Sequence, residues 1–193
     1  TIGGNLANAT PSADLAPALL ALEAKARVAG KLGVKTIELE RFFSGPGQTV
    51  MEPGDILTDV LIPAPEHGLV GDYIKFSPRE MMDLATVGVA VTLALIGKDN
   101  RIEQARIALG AVAPTPIRAR KAENLLTGKV MTEELAEEAG GQAAKECKPI
   151  TDVRSSAEYR RDMVAVNTKR ALLNLAVGQK GQLRWIQRRD RRY

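Results

Sequence analysis

The sequence predicts an α+β fold, and three observations predict it. Stretches with strand-like alternation or β-branched residues occupy most of the chain up to about residue 112. Helical spacing takes over after Ala119 and persists almost to the C-terminus. A chain of 193 residues with 45% apolar side chains can hold one large domain or two small ones with room for a real core, and strands followed by helices imply helices gathered on one face of a sheet.

The elements follow in order. Thr1-Ile2-Gly3-Gly4-Asn5 sets two bare glycines between a hydroxyl and an amide, and reads as a turn ahead of a helix. Without Cβ atoms, such backbone lets N–H groups approach an anion closely; a plain turn is the other reading. In SADLAPALLAL, Ser12 can cap a helix that Pro17 makes short or late. Ala24, Ala26 and Val28 alternate with Lys25 and Arg27, and Ile37 and Leu39 alternate with Thr36, Glu38 and Glu40. Joined through Gly30-Lys31-Leu32-Gly33, these two runs read as a β-hairpin. FFSGPGQT is a loop, and DILTDVLIP is a strand ending at Pro63.

PAPEHGLVG, residues 63–71, holds two prolines and two glycines and places a domain boundary near residue 66. Beyond it DYIKFS, TVGVAVTLALIG and RIEQARIALGAV read as strands, and KDN turns the last two into an antiparallel meander. After PTPIRA, ARKAENLLTG is a helix ending at Gly128, and Thr132 caps TEELAEEAGGQAAKEC. Ser156 caps a final helix with Tyr159, Met163, Val166, Arg170 and Leu173 along one stripe.

Composition excludes several chemistries. Aromatics are 4%, too few for a surface that stacks single-stranded nucleic acid. One cysteine, Cys147, allows no internal disulfide, iron–sulfur cluster or zinc site, and fits a reducing compartment. It has no neighbouring base, so it reads as a structural thiol, and His67 reads as a solvated loop residue. No apolar run approaches the roughly 20 residues that span a bilayer. The start shows no basic region followed by an apolar core, so the expectation is a cytoplasmic protein with no membrane span. Residues 179–193 carry six Lys/Arg against one acid, a net +5, while the whole chain is +4; the remaining body is therefore −1. The basicity is a terminal appendage. It reads as a solvated or docked extension, or as a contact for RNA or an acidic partner.

No dinucleotide fingerprint or phosphate loop is present. TIGGNLANATPSADLAPALLAL nevertheless resembles the second flavin-binding motif of the FAD-binding (medium) subunits of the xanthine dehydrogenase and carbon monoxide dehydrogenase family, the molybdenum hydroxylases with a separate flavoprotein chain. The resemblance continues through FFSGPGQT, PGDILTDVLIP, YIKFSPREMMDLATVGVAV, ALGAVAPTPIRARKAENLLTG and PITDVRSSAEYRRDMVAVNTKRALL. It covers about residues 1–176 in the family's order.

That resemblance implies a second lobe of a PCMH-type FAD-binding domain over 1–65. It implies a small antiparallel sheet with a three-helix bundle over 66–177, as in the carbon monoxide dehydrogenase flavoprotein C-terminal domain, and then a basic tail over 178–193. The family's first FAD motif, a glycine-rich loop, is absent, so the chain looks like the C-terminal portion of a longer subunit. It implies an oxidoreductase subunit that passes electrons from [2Fe–2S] centres through FAD to an acceptor such as NAD, quinone or oxygen. A molybdopterin-binding large subunit and a [2Fe–2S] small subunit are the implied partners, in a dimer of heterotrimers.

By the same resemblance, Thr1, Ile2, Gly3, Gly4 and Asn5 match the stretch that cradles the FAD pyrophosphate. Asp14 matches a carboxylate on the ribose–adenine side; an acid favoured by a helix N-terminus is the other reading. Ile56 and Leu57 match contacts to the adenine half, compatible with plain core packing. Lys75 matches a lysine near the flavin, where a cation favours the reduced ring. Met82, Asp83 and Leu84 match a loop beside that ring, with Leu84 standing where many members carry an aromatic. Arg79 and Glu80 either tune the flavin or pair on the surface. No general acid or base is evident, and no metal ligands are expected on this chain. The competing reading is a flavin-free interaction module whose basic tail binds an acidic partner or RNA.

Overall fold

The computed structural model describes residues 1–65, 68–79 and 83–177. His67, Glu80, Met82 and the basic tail lie outside the described residues.

Helix α1 spans Ile2–Ala7, so the double glycine sits inside a first helical turn rather than in a loop ahead of one. Thr1 makes this possible: its Oγ1 accepts from the Gly4 N–H at 3.1 Å, satisfying one of the donors a helix start leaves orphaned. Helix α2 spans Leu15–Ala21 with Asp14 at the N-cap position, and Ser12 is buried instead of capping. Proline lacks an N–H and fits only a first turn, so Pro17 delays the helix start to Leu15.

The expected hairpin forms from β1 (Lys25–Gly30) and β2 (Gly33–Glu38), with Gly30 opposite Gly33. FFSGPGQT is more than a loop, since β3 (Phe43–Gly45) and β4 (Gln48–Thr49) form a minimal ladder beside the fully buried Phe42. β5 (Ile56–Leu61) pairs with the free side of β1, giving the order β2-β1-β5.

A second sheet is a meander of β6 (Leu69–Phe76), β7 (Val87–Ile96), β8 (Arg101–Gly110) and the two-residue β9 (Ile117–Arg118). β9 follows two prolines in PTPIRA, which hide it from pattern reading. Helices α3 (Arg120–Leu126), α4 (Glu133–Glu146) and α5 (Ala157–Val177) complete the chain. Thr132 and Ser156 cap as expected, their hydroxyls accepting from the N–H groups of Leu135 and Tyr159.

The stripe expected on α5 is displaced by one position. Tyr159 and Arg170 are exposed, while Arg160, Val164, Thr168, Ala171, Leu172 and Leu175 are buried. Apolar counting misses this face because a charged residue belongs to it, its guanidinium bonded to backbone carbonyls.

Every residue of β7 from Val87 to Ala94 is buried, so the second sheet is covered on both faces. Val89, Val91, Ile107 and Leu109 pack into one core cluster with α3, α4 and α5. Gly88, Ala90, Thr92, Arg106, Ala108 and Gly110 point the other way, towards α2. There the small residues let the helix come close: a Cβ on Gly110 would lie 2.6 Å from Pro17 Cγ. At the far end of α2, Thr92 Oγ1 donates to Ala21 O, and Glu23 pairs with Arg106 at 3.0 Å. Glu23 adopts a left-handed φ of 54°, a conformation glycine usually fills, and its carboxylate lies near the buried guanidinium of Arg118 as well. The residues before and after the proline-rich segment at 63–65 therefore share one packed core across α2.

Candidate functional site

The N-terminal end of α2 lies over one end of the second sheet, where Lys75, Gly88 and Gly110 stand opposite one another on adjacent strands. Alternation along β6 sends Lys75 to the α2 side, and its Nζ donates to Asp14 Oδ2 at 2.8 Å. The same ammonium donates to the Asp83 carbonyl at 2.7 Å. Asp83 in turn accepts from the Leu84 N–H at 2.8 Å and from the Arg79 N–H at 3.1 Å, with the Arg79 guanidinium beside it. Burial alone would raise this carboxyl, but those N–H groups and the guanidinium outweigh it and hold Asp83 below the ordinary carboxylate range. Arg79 thus resolves as the ion-pair partner of Asp83, and Leu84 projects with half its surface exposed.

Asp14, Lys75, Asp83 and Leu84 are therefore one hydrogen-bonded constellation, although 61 residues separate Asp14 from Lys75. Thr1, Ile2, Gly3, Gly4 and Asn5 form a second group around the start of α1. Gly3 faces Leu57, whose Cδ2 would lie 3.9 Å from an added Cβ, and Ile56 beside it is exposed. Leu57 itself packs against the core around α2, so its expected core role holds. Among the described residues no side-chain bond joins the two groups; the backbone from Asn5 to Asp14 connects them.

Three buried polar atoms lack a protein partner here: Asn5 Oδ1, Asp14 Oδ1 and Tyr73 Oη. Burial, and secondarily the Asp14 carboxylate, push the Tyr73 hydroxyl well above the ordinary phenol range, so it stays a neutral donor. Tyr73 carries no site role in any motif that the sequence displays. Its signal was alternation, since two residues before Lys75 it shares the same face of β6.

A ligand rich in anionic oxygens and sugar hydroxyls fits this donor set. The first turn of α1 leaves N–H groups unbonded within the helix, Asp14 and Asn5 offer unpaired acceptors, and Lys75 supplies positive charge. FAD is such a ligand. Cys147, by contrast, is buried with Sγ 3.1 Å from Ala144 O, and burial pushes its thiol upwards, which suits a structural residue. Among the described residues there is no cluster of His, Cys, Asp or Glu able to hold a metal. None of the described helices is long and apolar enough to cross a membrane.

Comparison with known proteins identifies the family of the chain. Residues 72–175 match the family described as CO dehydrogenase flavoprotein C-terminal domain, and residues 1–65 match FAD binding domain in molybdopterin dehydrogenase. The carbon monoxide dehydrogenase medium chain of Hydrogenophaga pseudoflava is 34% identical over 89% of this chain and 59% of its own length. The xanthine dehydrogenase FAD-binding subunit of Escherichia coli is 29% identical over 95% of this chain and 62% of its own. A solved structure of carbon monoxide dehydrogenase from Hydrogenophaga pseudoflava superposes with a TM-score of 0.86 at 35% identity, covering 92% of this chain and 61% of that one. This chain thus spans about three fifths of the length of these relatives. With both portions matched in order, the chain belongs to the family of FAD-binding medium subunits of the carbon monoxide and xanthine dehydrogenases.

Proposed function

We propose that this chain supplies the second lobe of the FAD-binding domain, over residues 1–65, and the C-terminal flavoprotein domain, over residues 66–177, of the medium subunit of a molybdenum-containing hydroxylase or dehydrogenase. One observation carries the reading. Gly3 sits in the first turn of α1, and apart from its chain neighbours and the helix's own backbone the nearest protein atom to the space a Cβ would fill is Leu57 Cδ2, 3.9 Å away. Bare backbone at that open position leaves room for a ligand to approach the main chain, and this supports the reading.

In this reading the first-turn amides of α1, with Thr1, Ile2, Gly3, Gly4 and Asn5, hold the diphosphate. Asp14 accepts from sugar hydroxyls, Ile56 and Leu57 lie against the adenine half, and Leu84 packs beside the ring. Lys75 places its ammonium near the ring while holding the Asp83 loop against α2. Bound FAD supplies the redox chemistry by which electrons from the [2Fe–2S] centres of a small partner reach an acceptor. A large molybdopterin-binding partner carries the substrate chemistry. Assembly as a dimer of heterotrimers, in the cytoplasm, completes the proposal.

The test is flavin retention by the full-length subunit. Gly3→Val with Gly4→Val is expected to abolish bound flavin, read from the visible spectrum, while circular dichroism still reports the native fold. Unchanged flavin content in that variant overturns the reading.

A further inference from the structure

The segments that carry Asp14 and Asp83 are tied together twice, once at the surface and once in the interior. At the surface, Lys75 joins Asp14 Oδ2 to the Asp83 carbonyl. In the interior, Arg160 Nη1 donates to the Thr86 carbonyl at 2.8 Å and to the Ala111 carbonyl at 3.0 Å. Thr86 lies three residues after Asp83. Ala111 donates its own N–H to the Pro11 carbonyl at 2.8 Å, and Pro11 lies three residues before Asp14. Pro11, Ala111, Arg160, Thr86, Asp83, Lys75 and Asp14 therefore form a closed circuit, with two cations as its nodes.

Arg160 is an unusual residue for its position. It is 3% exposed and lies in the first turn of α5, where the helix macrodipole disfavours a cation. Its compensation is entirely tertiary: the two carbonyls, and Asp152 Oδ1, which accepts from Nη2 at 2.8 Å. Ala111, which it grips, holds a left-handed φ of 63°, a strained conformation for a residue with a Cβ, and such strain persists only where surrounding structure imposes it. A guanidinium fork reaches three acceptors in different directions at once, whereas an ammonium on a flexible stem does not reproduce that geometry.

Resting on the FAD reading above, we propose that Arg160 is the positioning residue of the flavin site: it fixes the Pro11–Asp14 and Asp83–Thr86 segments at a common root, so that Asp14 and Leu84 stand at a set separation. It touches no ligand itself and acts through Thr86 and Ala111.

The test uses the full-length subunit carrying Arg160→Lys, Arg160→Gln or Asp152→Asn. With Arg160→Lys the protein is expected to fold and its FAD dissociation constant to rise about tenfold or more. In the flavin-free variant, amide exchange is expected to quicken at Ala13, Asp14, Leu84 and Ala85 while Leu172 near the other end of α5 keeps wild-type protection. Asp152→Asn keeps an acceptor for Nη2 and is expected to hold FAD within about threefold of wild type. If both Arg160 variants speed exchange uniformly through β7, β8 and α5 and leave FAD affinity within about twofold, Arg160 merely anchors a helix and the proposal is overturned. Failure of both Arg160 variants to fold counts the same way. A wild-type subunit that holds no FAD sinks the earlier reading instead, and the exchange pattern still decides whether the circuit exists.

Discussion

Val89, Val91, Ile107 and Leu109 on one face of the second sheet, and Gly88, Ala90, Ala108 and Gly110 on the other, come from the same two strands but do opposite work. The first set fills a large apolar core under α3, α4 and α5, where stability scales with buried area. The second set is nearly without side chains, so α2 lies almost on the backbone and is held by contact, by hydrogen bonds and by the Glu23 ion pairs. Stability is concentrated on the helix side and placement on the α2 side. The candidate site sits at the end of the placement side.

That contrast can be broken from either face. The largest expected effect is on the helix side: Leu109→Ala opens a cavity beneath the bundle and is expected to cost about 3 kcal/mol in urea unfolding. Flavin affinity of the folded fraction of the full-length subunit should change little. A smaller loss of stability with a larger loss of flavin is expected from Gly110→Ala. Its Cβ meets Pro17 Cγ at 2.6 Å, so the start of α2 must move and carry Asp14 with it. Overpacking is expected to cost about 1–2 kcal/mol, partly offset by the lower unfolded-state entropy of alanine. A flavin titration of the purified variant reads the displacement; affinity equal to wild type would show that the close approach is only structural.

The smallest expected effect is acid sensitivity at the site end. Asp83 and Asp152 both feel burial that would raise them, yet the N–H groups of Leu84 and Arg154 and the nearby guanidinium groups bring both below the ordinary range. Their folded values lie under the unfolded one, so their stabilisation is complete above about pH 4 and is lost as pH falls through the folded values. In an NMR titration below pH ~4, the amides of Leu84, Arg154 and Ser155 are expected to shift before those of Val91 and Ile107. Simultaneous movement of all five would mean that acid unfolds the molecule as a unit, with no separate response at the site.

Much of this was legible in the residues. The hairpin through Lys31-Leu32, the meander turned by KDN and the caps at Thr132 and Ser156 follow from local rules, and all four are present. Each is decided within a few neighbouring residues by φ preferences and by orphaned N–H groups. The start of α2 followed a local rule too, but Pro17 outweighed Ser12. The double glycine misled by looking like a turn, because the capping role of Thr1 competes with glycine's poor helix propensity and wins.

By itself, then, the amino-acid order determined the α+β class, most element positions and the family, since periodicity and motif spacing are properties of the chain. Only the tertiary structure decided that α2 rests on the second sheet, that Lys75 joins Asp14 to Asp83, and that a buried Arg160 ties the same segments from within. Lys75 and Asp14 are 61 positions apart in the chain, and Arg160 and Thr86 are 74 apart. No local preference encodes such pairings. They are fixed by which faces the two sheets and the helices must bury, and by the need of buried charges to find partners once those faces have closed.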